Sequence, residues 1–308
     1  MTNTKLPSFP EFTNLEAHHQ SELTELIKSN HLYSDYNFVS LWSWDHQKQL
    51  QLCLLNGNLV IRFQDYLDPS DYFYSFIGTL NVDKTANTLL THPKNEGHSQ
   101  LKLIPQFVVE NLEKPGDFIV EEDRDSFDYI VAIGDAVELK GHSESKRRAL
   151  NKLMREHGHH LKIEELDIKN DTTVAMLVDL FHQWSEQAAT SSEYKQNELN
   201  AIKKLLDNRH LIDTASLHVL GLYVDGKLNA FSINEILQNN FAMGHFKKAL
   251  RDYKGIGVAL DHYTAKSLAE KGISHLNHEQ DLGIEGLRQS KLASNPVYFL
   301  KKYSIGLA

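Results

Sequence analysis

The segment SLHVLGLYVDGKLNAFSINEIL, residues 216–237, decides the fold that the sequence predicts for the second half of the chain. Two runs rich in β-forming residues flank Asp225-Gly226, and both positions of a tight hairpin turn favour residues that tolerate a positive φ. The run NNFAMGHFKK, residues 239–248, predicts a third strand. The sequence therefore predicts a three-stranded antiparallel meander here.

Helices and strands are predicted on both sides of this meander from the spacing of apolar residues. Before it we expect a strand and two helices, at 161–166, 172–188 and 198–210. After it we expect a helix, a short strand, a helix and a last strand, at 258–271, 273–279, 284–293 and 297–305. Strands and helices alternate too irregularly for a doubly wound parallel sheet, so the order predicts a mixed sheet flanked by helices.

The first half of the chain repeats this order with different residues. Two predicted helices precede LQLCLLNGNLVIRF, in which Asn56-Gly57 marks a second tight hairpin. A strand, a helix, a strand, a short helix and a strand follow up to residue 122. We therefore predict an α+β protein of two tandem domains, 1–135 and 136–308, each a mixed, mostly antiparallel sheet flanked by helices.

Charge is distributed unevenly between these halves. The chain has 308 residues, enough for two domains of ordinary size. Residues 1–139 hold 21 acidic and 9 basic side chains, whereas residues 140–308 hold 20 acidic and 23 basic ones. The steepest step lies between EEDRDSFD (121–128) and the basic segment 140–162, which supports a domain boundary near residue 135.

The composition also limits the compartment. No run of about 18 apolar residues is present, and MTNTKLPSFPEF at the start lacks the charged-then-apolar pattern of a secretory signal. The single cysteine, Cys53, excludes an internal disulfide framework and lies in an apolar, strand-like run where a core thiol is expected. We therefore expect no integral membrane segment and a cytoplasmic location.

The segment NHEQDLGIEGLRQSKLASNP, residues 277–296, concentrates charge and glycine behind a short predicted strand. Glu279 and Asp281 follow the end of that strand, where a carboxylate could act as general base or orient an acceptor amine. They could equally cap the next helix or pair with Arg288 and Lys291. The sequence leaves both interpretations open.

Arg288 and Lys291 are three residues apart and share one face of the predicted helix. Such a pair could clamp a phosphate or carboxylate, or form a solvated face of salt bridges. Lys247 and Asn277 complete the predicted substrate-binding set. The nearby glycines fit a tight turn that leads into the helix.

The segment ALRDYKGIGVAL, residues 249–260, places two glycines directly before a predicted helix. Unpaired amides and the dipole at a helix N-terminus favour anionic groups, and glycine lets the backbone approach closely. This order of elements resembles the GNAT fold of N-acetyltransferases, which implies a donor site at Tyr253, Lys254, Gly255 and Gly257. Acetyl-coenzyme A users of that fold have Gln or Arg where this chain has Asp252.

Longer blocks resemble one particular family. SDYNFVSLWSW, DRDSFDYIVAIGDAVELKGHSESKRRALNKL, HFKKALRDYKGIGVALDHYTAKSL and NHEQDLGIEGLRQSKLASNPVYFLKKY are similar to soluble relatives of the C-terminal domain of phosphatidylglycerol lysyltransferases. The resemblance implies tandem GNAT folds and transfer of an aminoacyl group from aminoacyl-tRNA. The membrane helices of the lipid-modifying enzymes are not found in this sequence, so the lipid acceptor does not carry over. The first half is expected to be a scaffold or a substrate wall.

The basic segment 140–162 could contact a tRNA backbone, because phosphate contacts dominate such affinity. Lys146, Arg147 and Arg148 are its candidates, in a position where relatives read Lys-Arg-Asn. The segment also fits a surface helix capped by Ser143. The histidines of EHGHH could suggest a metal, but they suit a helix that ends at Gly158, and we predict no metal site.

Three functions from different classes are compatible with these features. The first is a cytoplasmic acyltransferase that moves an aminoacyl group from aminoacyl-tRNA to a small-molecule or peptide acceptor, with acyl-coenzyme A as the competing donor. The second is a GNAT-shaped binding or regulatory protein without catalysis. The third is a nucleic-acid-binding module. Apart from a possible acyl donor, no cofactor is firmly predicted.

Overall fold

A computed structural model describes residues 6–28, 32–64, 72–92, 99–139 and 144–308. The described chain forms two compact units. The first comprises the residues up to Asp128 together with Gln280–Glu285 and Phe299–Ala308. The second comprises Tyr129–Glu279 and Gly286–Tyr298. The boundary near residue 135 and the relation of the two halves as tandem copies stay predictions.

The helices and strands are numbered along the chain. The strands are β1 (Thr13–Asn14), β2 (Gln51–Leu55), β3 (Asn58–Gln64), β4 (Tyr72–Ile77), β5 (Gln100–Pro105), β6 (Phe118–Glu122), β7 (Asp128–Ala132), β8 (Leu161–Glu165), β9 (Leu217–Val224), β10 (Lys227–Ile236), β11 (Phe241–Ala249), β12 (His275–Asn277), β13 (Tyr298–Leu300) and β14 (Lys302–Leu307). The helices are α1 (Gln20–Leu26), α2 (Phe38–Trp44), α3 (Val82–Thr91), α4 (Gln106–Val109), α5 (Ile133–Glu138), α6 (Glu144–His157), α7 (Asp171–Gln187), α8 (Ser192–Asp207), α9 (Ile256–Glu270) and α10 (Glu285–Leu292).

A seven-stranded sheet forms the centre of the second unit, in the order β13-β7-β12-β11-β10-β9-β8. The neighbours β8, β9, β10 and β11 pair antiparallel, as the predicted meander requires. Strand β12 pairs parallel with β11 and antiparallel with β7. The predicted mixed, mostly antiparallel sheet is therefore confirmed.

The two tight hairpins predicted from the sequence have the positive φ angles that were expected in their turns. Asp225 and Gly226 have φ values of 50° and 76°, which are the left-handed values that a two-residue turn of this kind needs. Asn56 and Gly57 have φ values of 52° and 88° between β2 and β3. The two residues of each turn thus fix the register of their hairpin.

Helices cover the central sheet of the second unit. Helices α6 and α9 pack on β9 and β10 through an apolar cluster that includes Leu153, Leu222 and Leu260. Helix α7 packs against β10 and β11. Asn170 caps α7 by accepting a hydrogen bond from the Thr172 amide, which satisfies one of the free donors at the helix start.

The first unit contains a four-stranded sheet, β1-β2-β3-β4, and a three-stranded sheet, β5-β14-β6. Its core joins β2, β3, β4, α3 and β5 around residues such as Phe76, Leu89 and Ile104, with Ile305 of β14 fully buried among them. The sequence order placed β14 with the second half, but this strand pairs antiparallel with β5 and β6. The end of the chain therefore completes the first unit.

Strands β1 and β7 and helix α5 were not predicted from the sequence. Strand β7 and helix α5 occupy residues 128–138, in the region where the change of charge suggested a boundary. The run from Tyr129 to Val131 is almost fully buried, because β7 is an interior strand of the seven-stranded sheet. The five-residue apolar run at 129–133, YIVAI, is the usual sequence signal of such a strand.

Candidate functional site

A cleft of about 860 Å³, counted out to its solvent-open mouth, lies within the second unit. Its apolar wall includes Val131, Leu139, Phe246, Val258 and Leu276. Its polar lining includes Asp135, Lys146, Asn234, Lys247, Asp261 and His278. An apolar cavity with a few converging polar groups is the usual form of a small-molecule site.

The cleft lies where two central strands separate. Strands β11 and β12 pair only from Phe241↔His275 to Met243↔Asn277. Gly244, next in β11, and His278, next after β12, both line the cleft. Glu279 then adopts a left-handed φ of 58°, so the chain turns away from the sheet one residue later. Beyond this point β11 remains paired with β10 on its other side, as far as Ala249.

Gly255 begins helix α9 with a φ of 97°. A Cβ atom at this position would lie 2.7 Å from the carbonyl oxygen of Ala149 in α6, which is shorter than real contacts allow. The start of α9 therefore packs directly on the backbone of α6, and only glycine permits this approach. At Gly257 the nearest atom to an added Cβ is the Ala249 Cβ at 3.7 Å, an ordinary contact.

The predicted donor-binding residues all lie at the start of α9. Tyr253 is half-buried, and its ring packs edge-on to that of His157 at 4.8 Å between centroids, whereas Lys254 is exposed. Asp252, in the position where acetyl-coenzyme A users have Gln or Arg, accepts a hydrogen bond from the Gln187 side chain at 3.1 Å. The hydrogen bond holds this carboxylate near the C-terminal end of α7. The backbone amides in the first turn of α9 are of the kind that bind an anion at a helix N-terminus.

Lys247 and Lys146 both line the cleft but differ in their partners. Lys247 donates to Asp261 of α9 at 2.7 Å between Nζ and Oδ1. Lys146 of α6 is half-buried, and within the described ranges no group accepts a hydrogen bond from its ammonium. Burial lowers the pKa of Lys146, Asp261 raises it, and Lys247 lowers it further. Lys146 is thus a cation inside the cleft without a partner of its own among these residues.

His278 is a neutral imidazole in this cleft. Burial is the largest cause that lowers its pKa, and the charges of Lys247, Lys291 and Lys146 add to this effect against the opposing charge of Asp261. The pKa falls to about 3. In the described part of the chain, no group is hydrogen-bonded to its ring. A neutral imidazole of this kind has one donor and one acceptor for a ligand.

Glu279 takes part in a buried network around His245. His245 Nδ1 lies 3.2 Å from Oε1 of Glu279, and His245 Nε2 lies 3.3 Å from Oε2 of Glu235. The three side chains are 2%, 16% and 12% exposed, respectively. Burial alone lowers the pKa of His245, but the hydrogen bonds and charges of Glu235 and Glu279 outweigh it and raise the pKa to about 9. The imidazolium therefore donates to both carboxylates at neutral pH.

The predicted substrate-binding residues have different surroundings. The fully buried Asn277 accepts a hydrogen bond from the amide of Glu279 at 2.6 Å, which holds the turn after β12. Lys291 of α10 donates to the carbonyl oxygen of His278 at 2.6 Å. Arg288 is half-buried on the same helix. Asn277 and Lys291 thus hold the peptide unit that joins His278 to Glu279.

Asp281 belongs to the first unit, whereas Glu279 belongs to the second. The Asp281 side chain is fully buried, and its two oxygens accept hydrogen bonds from the Gly283 amide at 2.9 Å and from Arg124 at 3.3 Å. Gly283 has a φ of 69° in the resulting turn. The partners of Asp281 in the described chain are those of a turn-holding residue, and its role as a catalytic group stays a prediction.

The predicted nucleic-acid residues lie on α6 and face different surroundings. Lys146 lines the cleft, whereas Arg147 and Arg148 are exposed. Arg147 donates to the Glu138 carbonyl, and Arg148 pairs with Glu144 one turn away. Lys140 and the proposed cap Ser143 lie outside the described residues.

The histidine-rich segment ends a helix, as predicted. Helix α6 ends at His157, and the amide of Gly158 donates to the carbonyl of Met154. His160 lies 3.3 Å from a carboxylate oxygen of Asp225. Among the residues that the structure describes, no group of three or more His, Cys, Asp or Glu side chains could hold a metal ion.

Burial raises the pKa of the Cys53 thiol to about 12, as expected for a core thiol.

The sequence analysis missed several residues, among them His278 and Asp261 in the cleft lining and the pair His245 and Glu235 beside Glu279. His278 stands inside the quoted segment 277–296. Alternation along β12 places Leu276 and His278 on one face, and this pattern could have indicated it. His245 and Glu235 lie on neighbouring strands, so only the pairing of β10 with β11 brings them together.

The sequence matches one known protein family over most of its length. The family described as "Phosphatidylglycerol lysyltransferase, C-terminal" matches residues 29–306. The chain belongs to this family. Membership supports acyl transfer as the general class of activity. A comparison with curated proteins found no match.

Solved structures confirm the fold over nearly the whole chain. A conserved protein of unknown function from Bacteroides thetaiotaomicron is 25% identical, with a TM-score of 0.82, and covers 96% of this chain and 99% of its own. A C-terminal domain assigned to a lysylphosphatidylglycerol synthetase from Agrobacterium fabrum is 14% identical, with a TM-score of 0.60 and coverage of 93% and 92%. L-PGS from Bacillus licheniformis is 12% identical, with a TM-score of 0.59 and coverage of 99% and 94%.

The described helices were also compared with the length and apolarity that a membrane span requires. No helix among residues 6–28, 32–64, 72–92, 99–139 and 144–308 is long and apolar enough to span a bilayer.

Proposed function

We propose that this protein transfers an aminoacyl group from aminoacyl-tRNA to a small-molecule or peptide acceptor. The observation that carries the proposal is the separation of β11 from β12 beside the start of α9, which creates a cleft in the second unit. Family membership supports acyl transfer, and the lysyltransferase in the family's description supports an aminoacyl donor. Aminoacyl-tRNA is made in the cytoplasm, so the reaction is proposed to occur there.

The donor is proposed to enter along Tyr253, Lys254, Gly255 and Gly257. The first-turn amides of α9 favour a phosphate group. Arg147 and Arg148 are exposed on α6, whose backbone packs against Gly255, and they are proposed to contact phosphates of a tRNA in place of their surface partners Glu138 and Glu144. The interaction of Asp252 with Gln187 leaves a carboxylate where coenzyme A users have a polar or basic side chain, and this favours aminoacyl-tRNA over acyl-coenzyme A.

Glu279 is proposed to accept the proton of the attacking amine. The amine nitrogen forms a bond to the ester carbonyl carbon, and the bond from that carbon to the tRNA ribose oxygen breaks. The proton lost by the amine goes to Glu279, which then gives it to the leaving ribose oxygen. His245 orients Glu279 through the hydrogen bond at 3.2 Å, and Lys247, which lines the cleft in a pair with Asp261, is proposed to contact the substrate.

A transfer assay with both donor classes tests this function. Purified protein is incubated with tRNA carrying radiolabelled amino acids, or with labelled acyl-coenzyme A, together with a small-molecule fraction and a peptide fraction. The expected result is base-stable labelled product from aminoacyl-tRNA only. Product from acyl-coenzyme A alone would replace the donor, and binding of either donor without product would instead support the non-catalytic binding protein.

Salt dependence tests the part played by α6. Replacing Arg147 and Arg148 by Gln should weaken tRNA binding and flatten its dependence on salt concentration, since each lost phosphate contact reduces the slope by about one. Lys203→Gln on α8 is the matched control. Unchanged salt dependence in the double variant would remove α6 from the tRNA site.

A further inference from the structure

The cleft in the second unit contains two donors that no described protein group uses. The ammonium of Lys146 is half-buried and has no acceptor in the described chain, while the neighbouring Lys247 is occupied by Asp261 at 2.7 Å. The ring of His278 likewise has no hydrogen-bond partner there. Both side chains line the same cleft. Half-buried polar groups without protein partners are the groups that a ligand satisfies.

The charges around His278 favour an anion. Lys146, Lys247 and Lys291 act on its imidazole with positive charge, and Asp261 opposes them. Asp135 also lines the cleft, so three lysines face two carboxylates among the described residues named here. Burial is the largest cause that disfavours a proton on His278, and the positive excess adds to it. An anion placed among these groups would offset that excess, whereas an ammonium group would increase it.

The form of the two donors points to a carboxylate. One ammonium and one imidazole N–H supply a donor for each of the two oxygens of a single carboxylate group. The remaining lysines of the cluster are engaged, Lys247 by Asp261 and Lys291 by the carbonyl of His278. One unpaired cation fits a monoanion better than a doubly charged phosphate.

The wall beside these donors is apolar. Val131, Leu139, Phe246, Val258 and Leu276 line the cleft together with Lys146 and His278. Such a wall favours a short hydrocarbon body next to the charged group, because burying apolar area stabilises binding by about 25 cal/mol per Å².

We infer that this cleft binds a small carboxylate with an apolar body, held by Lys146 and His278. The identification of this ligand as the acceptor rests on the proposed function, since the α9 start is assigned to the donor. Binding of the carboxylate does not rest on it. An acceptor with a carboxylate and a free amine would satisfy both assignments.

The probe for this site is hexanoate, with hexylamine and inorganic phosphate as comparison ligands. Calorimetry should detect hexanoate binding at neutral pH, no binding of hexylamine, and weaker binding of phosphate. In NMR spectra of histidine-labelled protein, hexanoate should shift the imidazole signal of His278. Tighter binding of hexylamine or phosphate than of hexanoate would overturn the assignment.

Two variants locate the site. Lys146→Gln should weaken hexanoate binding by at least about tenfold, because it removes a charged hydrogen bond. Lys152→Gln makes the same change on the same helix at an exposed lysine that pairs with Glu156, and it should change the affinity by less than about twofold. Equal affinities for the two variants would refute the role of Lys146.

His278→Phe provides an independent check that keeps a ring in the cleft. It should weaken hexanoate binding while leaving the circular dichroism spectrum and thermal midpoint near those of the wild type. Unchanged affinity would refute the role of His278. If hexanoate binds as predicted but no acyl transfer is found, the carboxylate site stands and the proposed function fails. If transfer occurs and hexanoate neither binds nor inhibits, only the carboxylate site fails.

Discussion

The buried imidazole of His245 should stay protonated well above neutral pH. Two hydrogen-bonded carboxylates, Glu235 and Glu279, raise its pKa from 6.5 to about 9 against the effect of burial. The difference between these pKa values corresponds to about 3 kcal/mol in favour of the charged ring in the folded protein. This large effect follows from geometry, since the two ring nitrogens lie 3.2 and 3.3 Å from carboxylate oxygens.

The sign of the pH dependence follows from the direction of the shift. Because the folded pKa of His245 is raised, its contribution to the free energy of unfolding is fully present below pH 6.5 and is lost as the pH rises through about 9. The window of lost stability therefore lies between these values. Acidic conditions below it leave this contribution intact.

An NMR titration of histidine-labelled protein between pH 5 and about pH 10 measures the pKa directly. Glu235→Gln should lower the pKa of His245 by at least about one, because it removes one of two neighbouring negative charges. Glu270→Gln, an exposed carboxylate at the end of α9, is the control and should leave it unchanged. A wild-type value at or below 6.5 would refute the reasoning, since burial would then dominate over both carboxylates.

Three further substitutions test the local structure through the free energy of unfolding measured in urea. Gly255→Ala should cost about 1–3 kcal/mol, because it combines a positive φ with a contact of 2.7 Å to the Ala149 carbonyl. Lys302→Met should cost about 3–5 kcal/mol, because it leaves the buried carboxylate of Asp128, 2.8 Å away, without its ion-pair partner. Asp281→Ala should cost about 1–3 kcal/mol, because the Gly283 amide and the Arg124 guanidinium lose a buried acceptor.

Matched variants separate these effects from general damage. Gly257→Ala has an ordinary contact of 3.7 Å to Ala249 and should be tolerated better than Gly255→Ala. Lys301→Met removes a partly exposed pair with Glu122 and a contact of the ammonium with the Phe127 ring, and it should cost less than about 1 kcal/mol. Equal costs within either pair would contradict the structural reasons given. An Asp281→Ala variant of wild-type stability would show that the turn does not depend on this carboxylate.

Local sequence chemistry predicted most of the second unit. The Asp225-Gly226 turn, the strands beside it and the helix after Gly255 depend on residues close together in the chain, so their spacing indicates them directly. Strand β14 shows the limit, because its partners β5 and β6 are far away in sequence. Nothing in the run of residues 302–307 distinguishes those partners from strands of the second half.

The candidate site was only partly predictable for the same reason. The segment 277–296 drew attention to Glu279 because charge and glycine cluster there. Its relation to His245 depends on the pairing of β11 with β12. The neutral state of His278 depends on its burial and, in addition, on lysines from α6, β11 and α10. Asp281 looked equivalent to Glu279 in the sequence, yet its oxygens bind Arg124 and the Gly283 amide.

Single-turnover transfer by a Glu279→Gln variant tests the catalytic role of the second unit most directly. With aminoacyl-tRNA bound and acceptor in excess, the rate should fall by about 10²–10⁴-fold while the affinity for the donor stays within about twofold of wild type. Glu270→Gln should transfer at the wild-type rate. A Glu279→Gln variant that transfers as fast as the Glu270→Gln control would contradict the proposed role of Glu279 as the base of this acyltransferase.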